Sequence, residues 1–270
     1  MFYKSTSFGP VLSDTFKDLP KDNNLISSGV DGSDSGVKLS TPSLPLDSSK
    51  SYAVHLDGYP LRTPARRPLL LPTETLAAAI AHEWSYQKDY IEPTYMPLTT
   101  LASTAVDQIH GSGEAAAVAN CLGYFRGDTV CYYAPEIERG LRRRQEAEWE
   151  KVHSWAEVHL GPLDVRRGIS LGALNHPAAT LEKAERELES LSFWELTVVQ
   201  SLSQETKSLL LPLALLKGAV TVEEAINASR VEEEVQIENW GCVEGGHDMD
   251  RLNIGVGCKA GKAFLDFLKA

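Results

Sequence analysis

From Tyr52 to Thr63 the apolar residues of this chain tend to alternate. From Thr73 onward, and almost without interruption after Gly111–Gly113, they recur every three or four positions instead. A period of two places side chains on the opposite faces of a strand, and a period near 3.6 stripes one side of a helix. The chain must therefore build a small sheet first and helices afterwards. Tyr52, Val54 and Leu56 alternate, Asp57–Gly58 supplies a tight turn, and Leu61 and Thr63 continue beyond it, which predicts a β-hairpin. Leu69–Leu71 is a third run expected to complete the sheet. Thr73 is placed to cap a helix carrying Leu76, Ile80 and Trp84 on one face.

Residues 1–12 read as a first strand. The segment 13–51 is rich in Ser, Asp, Gly, Lys and Pro and lacks a period, so a disordered surface insertion is expected there. Residues 1–112 thus form an α+β domain with a small antiparallel β-sheet. Residues 113–270 form an all-α domain, interrupted only by an extended stretch near Thr129–Tyr132. Between Ile137 and Leu160 a stripe of Leu141, Trp149, Val152, Ala156 and Leu160 marks one long helix, with Arg142, Arg143 and Glu148 pointing elsewhere. Ser192 with Glu195 and Thr221 with Glu224 form two capping boxes. Five or six helices without an internal repeat predict an orthogonal helical bundle.

The chain has 270 residues, 43% hydrophobic and 23% charged, enough for one large or two modest domains. Its 26 basic and 37 acidic side chains leave a net charge of −11, which argues against nucleic acid as the partner. Cys121, Cys131, Cys242 and Cys258 lack paired spacing and read as free thiols of a reducing compartment. No apolar run nears the ~20 residues that span a bilayer, so membrane insertion is not expected. Met1 is followed at once by strand-like Phe2–Lys4, with no secretory or transit signal. An imported protein would be read here in its mature form.

Motifs for catalysis are missing. The histidines are scattered; His153 and His159 are too far around a helix to share a ligand, and His247 after Gly245–Gly246 marks a turn or helix start. No nucleophile elbow or thiol signature is present. Gly255, Gly257, Gly261 and Lys262 fit no phosphate loop. Neither metal nor cofactor is expected. Arg62, Arg66 and Arg67, and Arg139 with Arg142–Arg144, read as solvated faces or partners of carboxylates. The enzyme alternative has Arg62, Arg66 and Arg67 gripping an anion, with only His55 or Asp57 as acid or base.

Thr221–Gly241 breaks a rule. At ~100° per residue, Val222, Ile226, Glu233, Ile237 and Trp240 share one stripe, so a carboxylate is expected on a buried face. Glu232 and Glu234 are expected to point into water. Glu233 must then meet an internal arginine, such as one of Arg142–Arg144, or serve a partner. Ala228, Val231 and Val235 form a second apolar patch, as for a helix central in a bundle or shared with another protein.

Several segments, in order, resemble the mitochondrial ATP synthase F(1) complex assembly factor 2 family. They are FYKS at Phe2–Ser5, LDGYPLRTPARRPLLLPT at Leu56–Thr73, AAAIAHEWSYQ at Ala77–Gln87 and MPLTTLASTAVD at Met96–Asp107. DTVCYYAPE at Asp128–Glu136, RQEAEWEKVHSW at Arg144–Trp155 and SRVEEEVQIENWG at Ser229–Gly241 follow. The insertion at 13–51 and the valines at 231 and 235 depart from the family pattern. The resemblance implies a non-catalytic chaperone of the mitochondrial matrix, with a plastid address as the open alternative. It further implies a monomer that keeps the unassembled F(1) alpha subunit soluble until the beta subunit covers it. Glu233, Gln236, Glu238 and Trp240, with Val231 and Val235, are the expected partner-binding residues. A general scaffold for finished complexes is the second alternative.

Overall fold

The computed structural model describes residues 5–11, 51–169, 172–243 and 245–270. Strands β1 (Thr6–Pro10), β2 (Tyr52–Leu56) and β3 (Tyr59–Pro60) form an antiparallel sheet in that order, with Thr6 opposite Leu56 and Pro10 opposite Tyr52. Asp57 and Gly58 have φ of 51° and 84°. Two successive positive φ angles match the twist of a two-residue hairpin. Leu71 and Tyr52 exchange two backbone hydrogen bonds of 2.9 Å, so the third apolar run touches the sheet through a single bridge. The insertion expected at 13–51 lies outside the described residues except for Ser51. Its two flanks meet, because the Val11 N–H donates to the Ser51 carbonyl at 2.7 Å.

Helix α1 (Glu74–Ser85) begins where Thr73 Oγ1 accepts from Leu76 N at 3.2 Å, and it buries Leu76, Ile80 and Trp84. Helix α2 (Pro97–Thr104) runs into a π turn, Ala105–Ile109. There follow α3 (Glu114–Phe125), α4 (Arg139–His159), α5 (Ala178–Glu189), α6 (Phe193–Thr206), α7 (Leu210–Leu216), α8 (Val222–Trp240) and α9 (His247–Phe267). Among the described residues this is seven helices after residue 112, more than the five or six expected. Leu210–Leu215 is buried throughout, so the short α7 offers no stripe to read. The extended stretch near Thr129–Tyr132 is a 3₁₀ turn, Thr129–Cys131, leading into β4 (Tyr132–Tyr133), which pairs in parallel with β5 (Arg166–Arg167). Both capping boxes are formed.

The core is continuous across residue 112, joining Leu71, Leu76 and Ile80 to Val198, Leu202 and Phe264. Thr73 Oγ1 donates to the Phe267 carbonyl at 2.7 Å and so ties the start of α1 to the end of α9. Asp128, fully buried, accepts from Leu209 and Leu210 N–H groups at 2.8 and 3.0 Å and from Val130 N–H at 3.3 Å. This satisfies donors that the start of α7 would otherwise leave unpaired.

Candidate functional site

Helix α8 lies between α4, α7 and α9. Its best-buried face is Ala225, Ala228 and Val231, turned to α4, where Trp149 Nε1 donates to the Ala228 carbonyl at 2.8 Å. Polar pairs flank this seam. Lys151 holds Glu224, Gln145 Nε2 donates to Glu232 at 2.8 Å, and Arg144 pairs with Glu238 at 2.8 Å. The second apolar patch therefore faces α4, with Val231 buried and Val235 half-buried.

The stripe expected to be buried is only partly so. Val222 and Ile226 pack on the core, Glu233 and Ile237 are half-buried, and Trp240 is 80% exposed. The physical reason is the rotation of α8, which turns Ala228 and Val231, not Ile237 and Trp240, toward α4. Glu232 is exposed, as expected, and also accepts from Gln145, whereas Glu234, expected in water as well, is half-buried and engaged. Glu234 is 3.3 Å from Arg230 and 3.8 Å from Arg251. The arginines at 142 and 144 are taken by Glu146 and Glu238. Glu233 makes no hydrogen bond or ion pair among the described residues. It lines a cavity of about 300 Å³ with Glu205, Arg230, Asp250, Asn253 and Ile254. Gln236 is exposed, as is Glu238 beside Arg144.

Arg230 was not legible as a core residue, yet it is 1% exposed. Glu205 is a second residue the sequence reading passed over. It lies on α6 without a hydrogen-bond partner, and burial pushes its carboxyl up to about 7. Past Trp240 exposed apolar side chains recur at Val243 and, within α9, at Met249, Leu252 and Val256. That helix begins at His247 as expected.

The arginines near the hairpin serve the fold. Arg67 Nη1 donates to the Val106 carbonyl at 2.8 Å, Arg62 Nη1 to the Arg66 carbonyl at 3.1 Å, and Asp107 accepts from Thr63 and Ala65. Asp57 accepts from Ser5 N at 2.7 Å inside its turn. His153 is held between the Val130 carbonyl and Tyr133, with burial pushing its pKa down. His159 is exposed and stacks on Trp155. His176, unremarked in the sequence, accepts from Asp164 N through Nδ1 and faces the Phe125 carbonyl through Nε2 at 3.0 Å. Among the described residues no cluster of three metal-ligating side chains exists, all four cysteines are free, and no helix is long and apolar enough to cross a membrane.

The same architecture is found in the crystal structure of Atp12 from Paracoccus denitrificans. It superposes with a TM-score of 0.73 at 32% identity, over 81% of this chain and 92% of that one. This chain belongs to the ATP12 chaperone family. A family model described as ATP12 chaperone protein matches residues 37–157. The mitochondrial atp12 protein of Schizosaccharomyces pombe is 28% identical over 212 residues, covering 74% of this chain and 72% of its own length. The mitochondrial ATP12 protein of Saccharomyces cerevisiae is 24% identical over 242 residues, covering 75% and 74%. In this ATP12-family chain internal packing leaves apolar side chains of the α8–α9 face exposed, as it does Tyr59, Tyr86 and Tyr90 elsewhere among the described residues.

Proposed function

We propose that this chain is an ATP synthase assembly chaperone that binds the unassembled F(1) alpha subunit in the mitochondrial matrix, as a monomer and without catalysis. The observation that carries this reading is the exposed apolar run Trp240, Val243, Met249 and Leu252 on a member of a chaperone family. A ring subunit that lacks its neighbour exposes apolar interface, and a weaker, exchangeable apolar surface can cover it until the neighbour arrives. Trp240, Gln236, Glu233 and Glu238 form the contact. Val231 and Val235 support it from behind by fixing α8 on α4. Trp240 is the anchor, since a large aromatic side chain brings contact area at little cost in rotamer freedom.

The test is co-purification from mitochondria that are assembling the enzyme. Recovery of free alpha subunit, with little of the finished F(1) head, is the expected result. Recovery of the finished head without free subunit would instead mark a scaffold.

A further inference from the structure

A groove of about 430 Å³ runs between α6, α9 and the Pro93–Tyr95 turn. Tyr95, Leu252 and Val256 stand exposed along it, and Leu101, Leu202 and Ala260 lie deeper. Glu205 belongs to its wall and also to that of the adjoining cavity beside α8. The Glu205 carboxylate is pressed against the backbone of α9, where a Cβ built on Gly257 would stand 1.7 Å from Oε2. Among the described residues Oε2 has no hydrogen-bond partner although it is buried. Charging a carboxylate whose oxygen is buried without a hydrogen bond is costly, and a cation placed against it offsets that cost. An apolar trough with one unpaired acid in its wall complements a segment that is apolar with one cation.

We infer that this groove binds an apolar segment of the client through one inserted arginine or lysine, which pairs with Glu205. The inference rests on the chaperone reading for the identity of the client, and the groove's chemistry can be tested apart from it. The charge environment is mostly acidic. Asp250 and the Cys258 thiol face from α9, Glu232 and Glu233 from α8, and Tyr95 from the turn. Two basic groups stand nearby. Arg230, at the wall of the adjoining cavity, reaches Glu234 through Nε alone, with Nη1 and Nη2 buried and without hydrogen-bond partners among the described residues, and Lys207, just past α6, is exposed. Burial keeps Glu205 protonated below about pH 7, so the groove gains its charge as pH rises past that value.

The probes are two acetylated, amidated nonapeptides of leucine and alanine, one with a central arginine and one with citrulline, which has nearly the same shape without the charge. Binding to the full chain is followed by fluorescence anisotropy and located by the Gly257 and Gly261 amide resonances. At pH 8 the wild type is expected to favour the arginine peptide at least tenfold, and this preference should shrink towards unity at pH 6. Glu205→Gln should bind both peptides alike at either pH. Val256→Arg, which supplies a cation from the groove's own rim, should weaken both. Equal binding of the two peptides by wild type at pH 8, a preference kept by Glu205→Gln, or full binding by Val256→Arg would each overturn the inference. If wild type and Glu205→Gln protect the alpha subunit from aggregation equally well, the groove assignment falls while the chaperone reading stands. If wild type gives no protection, the chaperone reading falls and the peptide preference still decides the groove.

Discussion

Trp149 on α4 donates its indole N–H to the backbone carbonyl of Ala228 on α8, at 2.8 Å, in the fully buried seam that sets the rotation of α8. Trp149→Phe keeps most of the ring and loses the bond. Removing the donor and part of the ring should cost about 2 kcal/mol. A urea titration should show a lower midpoint at an unchanged slope. An unchanged midpoint would mean that the seam does not position α8.

Asp128→Ala should be more damaging than its small change in size suggests. Three backbone N–H groups, from Val130, Leu209 and Leu210, lose their acceptor in a region without solvent. Leaving buried donors unpaired should cost about 3 kcal/mol. Thermal unfolding checks this, and hydrogen exchange should quicken first at Leu209 and Leu210.

Glu205 should make stability depend on pH. Its folded pKa of about 7 lies above the ordinary 4.5, so between these values the folded chain holds a proton that the unfolded chain releases. The stability from holding that proton is full below 4.5 and is lost as pH rises through 7. Glu205→Gln should therefore melt higher than wild type at pH 8, with the difference shrinking at pH 5. A difference that is the same at both pH values would contradict the burial of this carboxyl.

Deletion of residues 14–50 should leave the fold standing. The flanks of that segment already meet through the Val11–Ser51 hydrogen bond, so β1 and β2 can be joined by a short turn. Closure entropy changes by only ~0.6 kcal/mol per doubling of loop length, and shortening the connection by roughly three doublings lowers that cost by about 2 kcal/mol, so Tm should not fall. Calorimetry of the deletion variant tests it, and a fall in Tm would show that the segment contributes to the core.

Much of this was readable in the sequence because local chemistry decides it. Asp57–Gly58 allows a two-residue turn, Ser192 and Thr221 pair with glutamates three residues on, and Trp149, Val152 and Ala156 stripe one side of α4. The rotation of α8 was not readable. That helix carries apolar residues on two sides, and groups far away in sequence, Trp149 and Gln145 with Arg144 and Lys151, choose between them. The burial of Arg230 and Asp128 was equally hidden, since a charged side chain enters a core only when distant groups receive it. Glu233 was singled out for lying on a buried stripe. The structure leaves it half-buried beside a cavity, with the acidic pairing done by Glu232 and Glu234.

Glu233 and Trp240 therefore carry little of the fold, and the chaperone account turns on them. Glu233→Gln and Trp240→Ala should each change stability by no more than about 0.5 kcal/mol, as for surface positions without a structural partner. The direct measurement is light scattering of purified alpha subunit, diluted from denaturant into buffer with an equal amount of this protein. Wild type should suppress the scattering, and both variants should lose most of that protection while melting as wild type does. Scattering unaffected by wild type, or suppressed equally by wild type and both variants, would contradict the account.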